Sequence, residues 1–237
     1  MKRLLKIVPI IVLFITNSIF SQSKALVVFK KGKSYVINNN QKKEIKINTI
    51  LNENDIIKTE KDAYVNLQLS NGVLIRVGGN TQITLNKIVR KDNNEEFGIQ
   101  LSQGEVLSKV EKDKKKKIKL DIQSPTAIAS VRGTEFFVEA EKDSSTIAVN
   151  EGKVEVSSID GSQKQTVEAG EKIIATFKEM KKSILETYEK QKFEMLQELE
   201  KTKKQNFENV IKQIEKNQQL IEEQKNKIQF PENPFQK

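Results

Sequence analysis

VNLQLSNGVLIRV, residues 65–77, alternates apolar and polar side chains on both sides of an Asn-Gly pair. The apolar residues from Val65 to Leu69 would line one buried face of a strand, with polar residues between them facing water. Asn71-Gly72 is the strongest short signal for a hairpin turn, because both residues tolerate positive φ. The stretch therefore predicts two antiparallel strands, and the same texture over residues 34–174 predicts an all-β domain.

A short pattern recurs along this domain: an apolar residue, two polar residues, Gly, any residue, and an apolar residue. It occurs at residues 69–74, 101–106 and 149–154. The pattern is typical of a strand end, a turn in which Gly takes positive φ, and the start of the next strand. It marks Gly72, Gly104 and Gly152 as predicted turn glycines. Because the spacing is irregular, we expect repeated hairpins in a sandwich or roll, not a solenoid.

The composition excludes several classes of chemistry. The chain has no His, no Cys and no Trp, which leaves no zinc cluster, haem ligand, thiol nucleophile or Ser-His pair. It also excludes disulfides and the lipid-modified cysteine of a bacterial lipoprotein. We therefore expect no catalytic residues, no cofactor and no metal ligands, and hence a protein that is not an enzyme.

The amino-terminal segment has the order of a secretory signal. A basic start precedes an apolar run from Ile7 to Phe20 and then small polar residues. The run is shorter than the roughly 20 residues that a transmembrane helix needs, so residues 1–23 are predicted to be a signal peptide cleaved near Ser23. The alternative is an uncleaved amino-terminal membrane anchor. Both place the body of the chain outside the cytoplasm, in the periplasm or cell envelope.

The positive charge is dispersed along the chain. The net charge is +9, and it falls to +6 without Lys2, Arg3 and Lys6 of the signal. The other lysines are interleaved with acidic residues, which is typical of a solvated surface. The lysine-rich run between Val110 and Ile118 contains no aromatic residue or arginine to stack on bases or grip phosphate, so we interpret it as a hairpin tip. A nucleic-acid partner is not expected.

The amino-acid composition and the pattern of apolar residues change after Gly170. Residues 177–228 contain neither Gly nor Pro and are rich in Glu, Lys and Gln, which predicts a long α-helix. One apolar position recurs every seven residues, although its companion position is largely polar, as in a partial coiled coil. The seam residues are Phe207, Ile214, Ile221 and Ile228. We therefore predict a β domain at residues 24–175, a separable charged helix at residues 176–230 and a disordered tail at residues 231–237. The helix could mediate self-association.

The most specific stretch is SPTAIASVRGTEF, residues 124–136. It resembles the signature T-P-T-A-x-A-x-V-R-G-T-E-F of the FecR domain family, with Ser124 in place of the first Thr. The A-G-E turn of that family resembles residues 169–171, which makes Gly170 a further turn glycine. The resemblance covers residues 34–174 and implies a FecR-like β-sandwich or roll. The family-motif residues, structural or in contact with a partner, are Pro125, Thr126, Val131, Arg132, Gly133, Thr134, Glu135 and Phe136.

Two interpretations of the polar pair in this motif remain open. Arg132 and Glu135 could form a contact surface for a partner. They could instead form an internal ion pair, or cap the backbone, and so fix a bend at Gly133. The second interpretation is the one we expect.

The resemblance also implies a class of function. FecR regulates iron-dicitrate transport: its outer part receives a receptor signal, and its cytoplasmic part controls a sigma factor. Only six residues precede the apolar run here, so we expect that output part to be missing. The main expectation is an exported binding or scaffolding module whose partner is an envelope protein or cell-wall component. The alternative is a sensor component of an envelope signalling or transport-regulation system, acting through a partner.

Overall fold

The computed structural model describes residues 25–70, 72–91 and 93–194. The predicted signal peptide, the carboxy-terminal tail and the four seam residues Phe207, Ile214, Ile221 and Ile228 lie outside the described residues. Within these, the chain forms 17 strands and a helix, α1, at residues 187–194. The strands are β1 (Ala25–Lys31), β2 (Ser34–Asn38), β3 (Gln41–Glu44), β4 (Ile50–Leu51), β5 (Ile56–Thr59), β6 (Tyr64–Ser70), β7 (Val73–Val77), β8 (Gln82–Lys91), β9 (Asn94–Val110), β10 (Lys117–Gln123), β11 (Ala127–Val131), β12 (Glu135–Ala140), β13 (Ser144–Glu151), β14 (Lys153–Ser158), β15 (Lys164–Glu168), β16 (Glu171–Thr176) and β17 (Met180–Ile184).

The pairings divide the strands into two sheets that share β9. The first sheet has the order β4-β1-β6-β7-β9-β12-β13-β16-β17. The second has the order β3-β2-β5-β8-β9-β10-β11-β14-β15. The pairing of β9 with β10 is parallel and the others are antiparallel, so the second sheet is mixed. The all-β prediction is confirmed.

The inner faces of the two sheets contribute to one apolar core. The apolar positions of residues 65–77 follow the predicted alternation, because Val65 and Leu67 are fully buried. The polar positions do not all follow it, because Asn66, which was predicted to face water, is buried as well. The second sheet contributes Ile99 and Leu120, among others, to the same core. Burying apolar side chains from both sheets in one layer is the main source of stability of this architecture.

β9 passes from one sheet to the other at Gly104. Its core residues switch from odd positions, such as Phe97 and Leu101, to even positions, such as Val106 and Val110. Gly104 has a φ of +87°, and a Cβ atom there would lie 2.6 Å from Thr81 Cα. A side chain is therefore excluded both by the backbone conformation and by the lack of space.

The prediction for the turn glycines holds in part. Gly104, Gly152 and Gly170 have positive φ, whereas Gly72, although it lies in the β6–β7 turn, does not. Gly104 lies inside a strand, so its copy of the pattern is a bend and not a hairpin. Gly152 and Gly170 lie where the chain crosses between the sheets.

The lysine-rich segment is not a hairpin tip. Residues 111–116 connect the end of β9 in the first sheet to β10 in the second, where β10 runs parallel to the first half of β9. Strand alternation does not indicate strand direction, which is why the sequence favoured the more common antiparallel hairpin.

The predicted start of the carboxy-terminal helix is wrong. Residues 180–184 form β17 on the edge of the first sheet, paired with β16 from Glu171↔Ile184 to Ala175↔Met180. Edge pairing has overridden helix propensity here. The β domain thus continues past the expected boundary at 175, and α1 begins only at residue 187. No helix within the described ranges is long and apolar enough to cross a membrane.

The helix α1 packs on the outer face of the first sheet, so this part of the segment is not separable. Phe193 is 4% exposed, and its ring centroid lies 5.6 Å from that of Phe137 on β12. Leu185 and Phe193 join an apolar cluster with residues of β1, β7, β9, β12 and β13. Lys192 is buried beside them, with its ammonium bonded to Glu105 and 3.5 Å from Glu139.

A second buried ion pair holds the start of α1. Lys172 Nζ on β16 donates to Glu189 Oε1 at 2.6 Å and to Glu186 Oε1 at 3.2 Å. The hydrogen bond to Glu189 raises the pKa of Lys172. Burial alone would raise the pKa of Glu189, but hydrogen bonds from Lys172 and from the Glu186 backbone N–H lower it. Both groups are therefore held in their charged forms.

Candidate functional site

The motif at residues 124–136 carries the chain from the second sheet to the first. It includes all of β11, the bend at residues 132–134 and the first residues of β12. The sequence singled out eight of its residues, and the structure places them in different surroundings. Some of them fix the bend or the turn before it, two lie in the core, and one faces solvent.

The start of the motif is fixed by hydroxyl groups. Ser124 Oγ donates to the carbonyl of Ala127 at 2.8 Å, closing the turn that contains Pro125. Thr126 is 1% exposed, and its hydroxyl donates to the carbonyl of Ala175 on β16 at 2.9 Å. Thr126 therefore ties the beginning of β11 to the first sheet, which is a structural role.

The bend is fixed by Gly133 and Thr134. Gly133 has a φ of +68°, and a Cβ atom there would lie 2.1 Å from Lys112 Cγ, so the Lys112 stem lies over the bend. The Thr134 hydroxyl donates to the carbonyl of Lys153 at 2.9 Å, joining the bend to β14. Gly133 thus takes the positive φ that the sequence analysis allowed.

Glu135 is an internal group, but its partner is not Arg132. Its carboxylate accepts a hydrogen bond from Asn150 Nδ2 at 2.8 Å and lies 3.4 Å from Lys109 Nζ. The expected Arg132–Glu135 ion pair is therefore wrong. The bend separates the two side chains, since Arg132 directly follows β11 in the second sheet and Glu135 begins β12 in the first. Val131 and Phe136, on either side of the bend, are buried in the core.

Arg132 is the exposed member of the motif. Among residues 25–70, 72–91 and 93–194, it makes no salt bridge or side-chain hydrogen bond. It lines a depression of about 360 Å³ on the outer face of the second sheet, across β10, β11, β14 and β15. The depression is lined by Lys119, Ser130, Val131, Arg132, Lys153, Glu155 and Thr166. The arrangement offers cations and hydroxyl groups at a surface, which suits binding and not catalysis.

Comparison with known proteins agrees with this placement of the motif. Residues 55–155 match the family described as FecR protein. Residues 55–155 are a FecR domain. The match runs from β5 to β14 and so includes the whole bend, with β9 near its middle.

Two crystal structures of a candidate anti-sigma factor from Parabacteroides distasonis ATCC 8503, at 1.65 and 2.50 Å resolution, are similar to this chain. Their sequence identities are 20% and 21%, and each has a TM-score of 0.45. Each alignment covers 54% of this chain and 59% of the other, which is less than two thirds of those proteins. No curated protein matches this FecR-domain chain.

The residues that surround Arg132 in the depression, such as Lys153 and Thr166, were not among the predicted site residues. Lys153 and Thr166 lie on strands whose alternation places them opposite the buried Val154 and Val167. That alternation could have assigned them to the outer face. The adjacency of β11 and β14 depends on sheet order, which a single sequence does not reveal.

Proposed function

We propose that this chain is the sensor component of an envelope signalling system, and that it acts through a protein partner bound at the β11–β12 bend. The observation that carries the proposal is the exposure of Arg132 in a motif whose other assigned residues hold the bend or lie in the core. The fixed bend holds the backbone of this arginine in place, so binding does not have to pay for ordering the backbone.

The proposed role is non-enzymatic. The chain lacks His and Cys, and within its described parts no group of three acidic, His or Cys residues could hold a metal ion. The proposed location in the periplasm or cell envelope is supported only by the predicted amino-terminal signal. Intact mass of the protein from the envelope fraction should show loss of residues up to about Ser23. Recovery of the full-length chain from soluble cytoplasm would overturn this part of the proposal.

A photo-crosslinking amino acid at Thr166 tests the proposed surface. Thr166 is exposed and lines the depression, so we expect a discrete adduct in cells, and Arg132→Ala should abolish it. The matched control places the same crosslinker at Lys43, an exposed residue on β3 at the far edge of the same sheet. Equal adducts from both positions would show that the bend is not a specific contact surface.

The regulatory part of the proposal needs a separate measurement. Deletion of the gene should change a restricted set of transcripts, and the wild-type and Lys43→Ala proteins should restore them. Arg132→Ala should fail to restore them. A specific adduct without any transcript change would reduce the function to docking or scaffolding, the main expectation from the sequence.

A further inference from the structure

Two like charges lie side by side where the ladder between β11 and β14 ends. Val131 pairs with Val154, so Arg132 and Lys153 are neighbours immediately beyond this pair. Both side chains are exposed, and within the described residues neither makes a salt bridge or side-chain hydrogen bond. Like charges opposite each other on adjacent strands destabilise a sheet. A local conflict of this kind is expected where a protein retains residues for binding.

The acidic groups at the first depression are paired with lysines. Glu155, on the outer face of β14, lies 2.8 Å from Lys164 Nζ. Asp121 lies 2.7 Å from Lys119 Nζ and also accepts a hydrogen bond from Ser130 Oγ at 2.6 Å. Glu168 on β15 is opposite Lys153 in the ladder, but no salt bridge joins their side chains in the part of the chain that the structure describes. The excess charge at the first depression is therefore that of Arg132 and Lys153.

A second depression, of about 330 Å³, shares the same two cations. It lies on the other side of the bend and is lined by Lys112, Arg132, Gly133, Gly152, Lys153, Glu168 and Ala169. The cation pair thus lies between two shallow cavities, each large enough for a side chain and not for a large ligand. An extended peptide could place successive side chains in both.

We propose that Arg132 and Lys153 bind the carboxylate of an Asp or Glu side chain in an acidic segment of a protein partner. The inference rests on the proposed function and names the chemistry recognised at that surface. The planar guanidinium of Arg132 matches a carboxylate with two parallel hydrogen bonds, and Lys153 adds a point charge beside it.

The surroundings favour a carboxylate over a polyanion. Glu168, which lines the second depression and makes no salt bridge among the described residues, repels a ligand with dense negative charge. Neither depression is lined by an aromatic side chain of the described residues, so nothing there would stack on a nucleic-acid base. Carboxylates that are spaced along a peptide by neutral residues satisfy both conditions.

The test is a titration of the isotope-labelled chain, followed by the backbone amide signals of Val131, Gly133 and Val154. The probes are N-acetyl-Gly-Glu-Ala-Glu-Gly-amide, its Gln analogue and inorganic phosphate. The Glu peptide should shift these three signals saturably, and added salt should weaken its binding. Arg132→Gln with Lys153→Gln should weaken it by about 3- to 30-fold, the loss of two exposed ion pairs.

The matched control is Lys43→Gln with Lys58→Gln. It removes the same charge from exposed positions on β3 and β5 of the same sheet and should leave the affinity unchanged. Arg132→Lys keeps the charge but loses the two-pronged geometry, so its affinity should be intermediate. Unfolding midpoints in urea that are no lower than that of the wild type would show that all of these variants are folded.

Three results would overturn the inference: equal binding of the Gln peptide, tighter binding of phosphate than of the Glu peptide, or equal weakening in the Lys43/Lys58 control. A crosslinked adduct at Thr166 without Glu-peptide binding would refute the carboxylate and leave the proposed function intact. Glu-peptide binding without an adduct in cells would support the chemistry and refute the proposed function.

Discussion

Replacement of Phe193 by Ala tests whether α1 is an integral part of the β domain. The ring is 4% exposed and packs on Phe137, which is itself fully buried. Phe→Ala substitutions in a well-packed core cost about 3–5 kcal/mol. In a domain of this size, 1 kcal/mol shifts Tm by roughly 2–4 °C, so we expect Tm to fall by about 6–20 °C.

The measurements are thermal unfolding, for Tm, and urea unfolding, for the free energy of unfolding. Both are followed by far-UV circular dichroism, since the chain has no Trp to report by fluorescence. Gln191→Ala is the matched control, because Gln191 lies on the exposed side of the same helix and Ala preserves helix propensity. The control should change the free energy of unfolding by less than about 0.5 kcal/mol. If Phe193→Ala changes it equally little, α1 does not contribute its aromatic ring to the fold, and the docking on Phe137 is refuted.

Three further predictions follow from the described contacts. Gly104→Ala should destabilise the domain by more than Gly170→Ala. Both glycines have nearly the same φ (+87° and +86°), so each substitution costs about 1–2 kcal/mol of backbone strain, but of the two only Gly104 also lacks space for a Cβ atom. Equal urea midpoints of the two variants would contradict this steric argument. Because the folded-state pKa of Glu189 is lowered, its contribution to stability is fully present above about pH 4.5 and is lost as pH falls through the folded pKa. Glu189→Gln should therefore lose less stability than the wild type between about pH 6 and pH 3, and parallel pH profiles of the urea midpoint would exclude this role. Glu135→Ala should cost about 1–3 kcal/mol by leaving buried partners unsatisfied, whereas Arg132→Ala should leave the thermal midpoint nearly unchanged; the reverse order would mean that Arg132 is the structural member of the motif.

Much of the β domain could be predicted because strand alternation records burial directly. Val65, Leu67 and Leu69 have the period of a strand, and all three are buried. The same alternation does not show which of the two sheets a strand joins. Gly104 looked like a hairpin turn because its local pattern matched Gly152, yet it bends a continuous strand. The bend is indicated by the apolar positions, which are odd-numbered up to Leu101 and even-numbered from Val106 onward.

Two predictions were wrong for a common physical reason: the start of the carboxy-terminal helix and the Arg132–Glu135 ion pair. Met180 and its neighbours have good helix propensity, but the edge of β16 offers them backbone hydrogen bonds. They therefore form the edge strand β17 and not a helix. Arg132 and Glu135 are three residues apart in sequence, but a positive φ at Gly133 sends them to different sheets. In both places tertiary geometry determined the structure, and a single sequence does not encode it in any local pattern.

The shared strand β9 has a consequence for how the protein folds. Residues before β9 build one half of each sheet and residues after it build the other, and in the part of the chain that the structure describes no strand pairing joins the halves except through β9. Each half needs this central segment to complete its hydrogen bonding, the first half at β7 and β8 and the second half at β10 and β12. We therefore expect a single cooperative transition in place of stepwise assembly of two sheets. Its rate should lie in the millisecond-to-second range of topologies dominated by distant pairings.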